Sequence, residues 1–313
     1  MSLRSKFRVI RNLLSLPKLL AETRGMVSDL SREIEVNKLL TGEMLAAMNR
    51  EKVPKVLHEI EWSVFSQFGD DGIIQWLIAN VAIQHETFIE FGVEDYQESN
   101  TRFLLLNNNW RGLVMDGSSD SLARMRAHAW YWNYGLVAKA VFITKENINA
   151  LLSEAGFTGS VGILSIDIDG MDYWIWEAIN CVDPSIVIVE FNALFGSDRA
   201  ISVPYRKDFD RWKAHYSGLY GGASLPALKL LATRKGYVFI GTNGARNNAY
   251  FVKKELLTNE LQLVAKGFRF EDARFRECRN ERGEITDLSR TEGRRLIEGL
   301  PVIDVEGNKP GVL

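Results

Sequence analysis

The sequence predicts an α/β protein: a mostly parallel sheet covered by helices on both faces, closed by an antiparallel hairpin and preceded by a helical extension. Three observations predict it. From Trp62 onward, short and nearly all-apolar runs alternate with helix-length segments, the pattern of buried parallel strands and their crossover helices. The last two apolar runs are joined only by the short segment 243–248, which suits a hairpin. Ahead of them, Leu30, Ile34, Leu40, Met44 and Met48 recur at spacings of four or six, which approximates one face of a helix.

Residues 1–55 form the extension. Glu22, Arg24, Asp29, Arg32, Glu33, Glu35 and Lys38 occupy much of its other surface. It is expected to pack on the main domain as a helix pair or to act as an oligomerisation segment that joins copies of the chain. Its first twenty residues are basic through Arg4, Lys6, Arg8, Arg11 and Lys18, so a peripheral contact with the anionic inner membrane surface is one reading. A solvated amphipathic helix is the simpler one.

The main domain is expected over residues 56–255. Gly69-Asp70-Asp71-Gly72 precedes an apolar helix at 73–78. Strands are predicted at Thr87–Phe91, 112–115, 136–142, 161–168, 186–191, Tyr237–Thr242 and 249–253. The helices between them are placed at 99–107, 119–128, 146–155, 173–179 and 225–235. Five parallel strands ending in an antiparallel pair is the expected order. Residues 256–313 are charged and irregular, an accessory segment with a helix, a short hairpin and a tail.

Composition narrows the partners. A 313-residue chain with 46% hydrophobic and 25% charged residues is ordinary for a globular enzyme. A net charge of -2 gives no pull toward nucleic acid. Cys181 and Cys278 are too few for a disulfide framework or a cysteine-rich zinc site, which suits a reducing cytoplasmic setting. No run is long enough to span a bilayer, and no small-residue cleavage site follows the basic N-terminus, so no secretory signal is expected.

The first strand ends Phe88-Ile89-Glu90-Phe91-Gly92, then passes through Val93-Glu94-Asp95-Tyr96-Gln97-Glu98 to Ser99-Asn100. Ligands of open parallel sheets bind beyond the carboxyl ends of the strands, and a glycine there permits close backbone approach. Glu90 is suited to accept a hydrogen bond from the ammonium of a methionine moiety. A dinucleotide would want several glycines for its phosphates, whereas Glu94, Asp95 and Glu98 repel them. S-adenosylmethionine therefore fits the segment better than NAD. At the end of the second strand, Asp116-Gly117-Ser118 offers an acid for a ribose hydroxyl pair, with helix capping the alternative role for Asp116. The candidate cofactor contacts are Glu90, Gly92, Asp95, Ser99, Asn100, Asp116, Ser118 and Asp167.

Asp167, Asp169 and Asp172 crowd the fourth strand end, and Glu190 with Asn192 sits on the fifth. Carboxylates so close repel unless something positive lies between them: a divalent cation, the sulfonium of the cofactor, or a bound base. Asp167, Asp169, Glu190 and Asn192 are hard oxygen ligands suited to magnesium or manganese. Helix capping and turn support are their ordinary roles. Asp167, Asp169 and His215 are the catalytic candidates, the histidine as a general base from a glycine-rich segment expected to overhang the strand ends. Trp130-Tyr131-Trp132-Asn133-Tyr134 is expected to pack between helix and sheet.

At Phe88-Ile89-Glu90-Phe91-Gly92, Ile166-Asp167-Ile168-Asp169-Gly170-Met171-Asp172 and Ile188-Val189-Glu190-Phe191-Asn192, the sequence resembles the FkbM-type S-adenosylmethionine-dependent methyltransferases. The fourth-strand motif is the most specific, since that family shows Ile-Asp-Val-Glu-Gly followed by another acid. The resemblance covers roughly residues 65–252 and implies a Rossmann-like methyltransferase sheet. It also implies O-methylation of a hydroxyl on a glycan or secondary metabolite, here a sugar, a glycan or a nucleotide-sugar precursor. Glu94 and Asp95 stand where the family has a second glycine. Two other functions fit parts of the chain: a metal-dependent glycosyltransferase using the Asp167-x-Asp169 pair, and a scaffold that keeps the fold without its chemistry.

Overall fold

The computed structural model describes residues 3–273 and 277–313, with side chains described from residue 17. The basic residues Arg4, Lys6, Arg8 and Arg11, expected at a membrane surface, therefore lie outside the described side chains. Among the described residues no helix is long and apolar enough to cross a membrane.

The chain opens with α1 (Leu3–Asn49), one continuous 47-residue helix that carries Pro17 within it, rather than the expected helix pair. After a loop comes α2 (Asp70–Asn80). Asp70 and Asp71 form its first turn instead of preceding it, where the helix dipole favours acids. The alternation then runs β1 (Thr87–Phe91), α3 (Arg102–Leu106), β2 (Arg111–Asp116), α4 (Ser119–Ala127), β3 (Leu136–Ala140), α5 (Ile148–Glu154), β4 (Gly159–Ile166), α6 (Asp172–Ala178) and β5 (Val182–Glu190). An excursion follows with β6 (Ile201–Ser202) and α7 (Arg211–Ala214), then α8 (Leu225–Arg234), β7 (Tyr237–Thr242) and β8 (Asn248–Lys253). The chain closes with α9 (Asn259–Gly267), α10 (Arg290–Ile297), β9 (Pro301–Asp304) and β10 (Lys309–Val312).

The main sheet has the order β3-β2-β1-β4-β5-β8-β7, the layout of a Rossmann-like methyltransferase sheet. Strands β1 to β5 pair in parallel. β8 runs antiparallel to both β5 and β7. β7 at the edge is thus parallel to the rest, and only β8 is reversed. The expected antiparallel hairpin is present as β7 and β8, with β8 inserted between β5 and β7.

Alternate residues of each strand feed opposite faces. Ile89, Phe91, Leu113, Met115, Leu164, Ile166, Val187 and Val189 face one way, under α5, α6 and α8. Phe88, Val114, Ile163, Ile186, Ile188 and Tyr250 face the other, under α2, α3, α4 and α9. Both faces are dry, which is why the strands read as continuous apolar runs.

The C-terminal segment holds two helices and a hairpin. β9 pairs with β10 and with β6, building a small second sheet. Val302, Ile297 and Cys278 are buried in the same core as the α6–α8 face of the main sheet.

The aromatic run 130–134 lies in a short 3-10 turn in which no residue is fully buried. Trp130, Tyr131 and Tyr134 pack against the core edge, while Trp132 stays exposed. The expected sandwich between helix and sheet is thus partial.

Candidate functional site

The carboxyl ends of β1, β2, β4 and β5 bring the predicted site residues to one edge of the sheet. Gly92 follows β1 at φ 75°. A Cβ there would lie 1.6 Å from the carbonyl oxygen of Asp167. Gly92 is therefore needed where the β1 and β4 exits press together.

The loop beyond it is held in unusual backbone conformations. Glu94 (φ 47°) and Tyr96 (φ 63°) both take the left-handed region without being glycine, at a cost for L-residues. Glu94 stands where the resembled family has its second glycine, and it adopts the glycine-like conformation. What holds it is Asp116: the Glu94 N–H donates to Asp116 Oδ2 at 2.8 Å, while Asp116 Oδ1 accepts from Ser118 N at 2.7 Å. The acid at the end of β2 thus clasps the β1 loop. Capping of α4 is done by Ser118, whose hydroxyl accepts from Ser121 N.

Glu90 is buried and already served. Its Oε2 accepts from the Ser99 hydroxyl and from both the amide and hydroxyl of Thr101, and its Oε1 accepts from Asn100 N. Burial pushes its pKa up, and the Ser99, Thr101 and Asn100 donors push back. The expectation that Glu90 takes a ligand ammonium is corrected to that extent: the carboxylate organises the turn into α3. Ser99 is spent on the same bond. Asn100 reaches across to Ser165 Oγ at 3.1 Å. Asp95 faces sideways, accepting from Gln97 N and lying 3.8 Å from Arg124. Thr101 and Arg102 were not singled out in the sequence, yet they finish the loop. Buried Arg102 donates to the carbonyls of Tyr96 and Gln97 and pairs with Glu35 of α1 at 2.6 Å. Its guanidinium lies 4.4 Å from the centre of the Phe65 ring.

The acidic cluster is real, but its membership differs from the prediction. Carboxylate oxygens of Asp167, Asp172 and Glu190 all lie within 4.8 Å of one another. Asp169 is absent from that convergence: at φ 58°, its exposed side chain turns out to Arg211, 2.8 Å away. Asn192 is absent as well. Its amide donates to the carbonyls of Leu219 and Gly221, and its oxygen accepts from Leu194 N. Two of the four predicted metal ligands thus hold the loops instead, and Asp172 joins Asp167 and Glu190. The Asp167-x-Asp169 pair does not converge as a nucleotide-diphosphate site would need.

Asp172 shapes the turn that presents Asp167, accepting from Ile168 N at 2.9 Å and Gly170 N at 3.0 Å. Burial, then the charge of Glu190, raises the pKa of Asp172 to about 8. Burial raises Asp167 well above the carboxylate range, and Glu190, Asp172 and Asp169 add to it while Arg211 opposes. A carboxyl group that holds its proton near neutrality is the signature of a site awaiting a cation or poised for proton transfer.

The glycine-rich segment overhangs these strand ends as expected. Gly222 N donates to Gly170 O, and Asn192 N to Ala223 O. His215, at the end of α7, uses Nδ1 in a 2.7 Å bond with the Ser217 hydroxyl, and its ring packs on Tyr216. Burial lowers its pKa, so the ring is neutral at pH 7, as a base must be. Beside it a cavity of about 400 Å³ is lined by Tyr216, Arg279, Asn280, Arg282, Thr286 and Leu296. The C-terminal segment lines this cavity, which holds none of the strand-end acids.

No protein-family model matches the chain, and no curated protein matches it. Among solved structures, it is similar to an S-adenosylmethionine-dependent methyltransferase from Clostridium acetobutylicum at 9% identity, over 58% of this chain and 88% of that one, with a TM-score of 0.35. The CurJ carbon methyltransferase matches at 12% identity over 66% of this chain and 56% of its own, TM-score 0.36. TehB from Haemophilus influenzae matches at 13% over 54% and 57%, TM-score 0.33. The fold assignment stands on the strand order, and the chemistry of this chain on the residues above.

Proposed function

We propose that the chain transfers a methyl group from S-adenosylmethionine to a hydroxyl oxygen of a sugar, a glycan or a nucleotide-linked sugar precursor. The observation that carries this reading is the convergence of Asp167, Asp172 and Glu190 at the β4 and β5 ends, two strands from Asp116. The donor set fits the cofactor's two demands: Asp116 for a ribose diol, and the acidic cluster of Asp167, Asp172 and Glu190 for a cationic sulfonium and ammonium. When bound, S-adenosylmethionine supplies an electrophilic methyl group on sulfur.

The residues of the chain do the rest. Positive charge bound among the acids would release the proton that Asp167 otherwise retains, and its carboxylate would then accept the acceptor's hydroxyl proton. The sulfonium would leave as a neutral thioether, so the task left to the chain's own residues is to take the hydroxyl proton. Neutral His215 is the alternative proton acceptor, placed on the overhanging segment. The lid from Arg211 to Gly222 excludes water from the exchange.

Magnesium or manganese at Asp167, Asp172 and Glu190 is a second reading, favoured by the hard oxygen donors within 4.8 Å. It predicts a rise in melting temperature with millimolar magnesium that Asp172→Ala removes.

Incubation with S-adenosylmethionine and a panel of sugars and nucleotide sugars tests the main proposal by mass spectrometry. A methyl-sized mass gain on one acceptor, abolished by Asp167→Ala, is expected. Methylation that persists in that variant, or modification confined to carbon or nitrogen, overturns the assignment.

A further inference from the structure

The helix α1 uses one side and leaves the opposite side uncovered. Its buried or half-buried positions are Glu35, Leu39, Gly42, Leu45, Ala46 and Asn49, and Glu35 is tied to Arg102. Every described side chain from residue 17 to 34 is exposed. About 150° around the helix from the docked side runs a heptad stripe. One set of core positions is Leu20, Val27, Ile34, Thr41 and Met48, and the other is Thr23, Leu30, Asn37 and Met44. The six large apolar members of the stripe are between 49% and 67% exposed. Leu19, Met26 and Leu40 flank it, also exposed.

An isolated helix with such a stripe in water lacks the packing that sustains helices of this kind. We propose that the stripe is the seam of a parallel two-stranded coiled coil with a second copy of this chain. Four features commit it to that occupant. Val27 and Ile34 at one core position with Leu30 at the other is the combination that favours two strands. In parallel register Glu33 of one copy faces Lys38 of the other, an opposite-charge pair across the seam. Neither residue has an ion-pair partner within the chain among the described residues. Residues 17–49 carry five acids and four bases, so an anionic lipid surface gains nothing from this stretch, whereas a copy of the helix complements it. Finally, the nine core side chains on each strand, each surrendering on the order of 80 Å², bury roughly 1,400 Å² in all, within the range of stable interfaces.

Sedimentation of the full chain at tens of micromolar reads the assembly directly. Twice the 35.5 kDa chain mass is expected. Leu30→Glu combined with Ile34→Glu changes only exposed positions, so the domain should melt as before while dimer affinity falls roughly 100-fold or more. Glu33→Lys and Lys38→Glu chains should each associate weakly alone and form a mixed dimer together, which a merely sticky helix would not do. A one-chain mass, a three-chain mass, or a dimer untouched by the double variant overturns the proposal. So does a monomer that co-sediments with vesicles of anionic phospholipid.

Discussion

Asp167→Asn offers the sharpest test of the acidic cluster, because it removes a charge with little change of shape. Burial and the neighbouring acids raise Asp167 well above the carboxylate range and Asp172 to about 8. In the unfolded chain both return to about 3.9. A raised folded pKa means that the native state keeps protons the unfolded chain has already released. Its contribution is fully present below about pH 4 and is lost as pH rises toward 8. The slope at its steepest is about 1.4 kcal/mol per pH unit for each retained proton. Asn at 167 removes one such proton. The slope should therefore drop by about 1.4 kcal/mol per pH unit at most, less because Asp167 is only half-buried and its charge is partly screened. Urea unfolding at pH 5, 6, 7 and 8 and constant ionic strength gives the slopes. The variant should be no more stable than the parent at pH 5 and clearly more stable at pH 8. Two parallel stability curves would refute the reasoning, since the carboxylates would then not be charge-coupled in the folded state.

Further outcomes follow from single positions. Glu94→Gly should stabilise by about 0.5–1 kcal/mol, the relief of roughly 1–2 kcal/mol of left-handed strain less the entropy of an added glycine; a lower urea midpoint would show that Glu94 is not strained. Gly92→Ala should cost more than about 4 kcal/mol or prevent folding, because its Cβ lands on the Asp167 carbonyl, and a near-parental melting temperature contradicts the close approach. Arg102→Met keeps the apolar stem over Phe65 but loses Glu35 and two loop carbonyls, at about 2–3 kcal/mol. Hydrogen exchange should then accelerate in residues 95–101, and unchanged protection there would place the loop's order elsewhere.

Much of the fold is legible because buried parallel strands announce themselves. Thr87–Phe91, closed by Gly92, and Tyr237–Thr242, set between Gly236 and Asn243-Gly244, match their predicted limits. The strand ahead of Glu190 starts earlier than predicted, at Val182, because Asp183 and Pro184 interrupt the apolar run without breaking its pairing to β4. The reversal of β8 against β7 was legible in the short segment 243–248, whereas the strand order and the insertion of β8 beside β5 depend on long-range pairing, which local pattern does not encode. At the site, residue type and strand-end position pointed to Glu90, Asp116 and Asp167, and all three lie at the sheet's carboxyl edge. Which acids converge was not legible. The difference between Asp169 and Asp172 is a backbone matter: Asp169 takes φ 58° and turns out to Arg211, while Asp172 turns in to close the loop. A one-residue change of direction of this kind leaves no mark on composition or spacing. Thr101 and Arg102 were hidden for another reason, since their partners Glu90 and Glu35 are 11 and 67 residues away.

The proposed function requires that Asp116, at the end of β2, hold the ribose of S-adenosylmethionine. Calorimetry with S-adenosylhomocysteine measures this without requiring the acceptor. Saturable one-to-one binding is predicted, weakened at least roughly tenfold by Asp116→Ala in a protein whose circular dichroism is unchanged. Absence of heat at millimolar ligand, or equal affinity in the variant, would contradict the account.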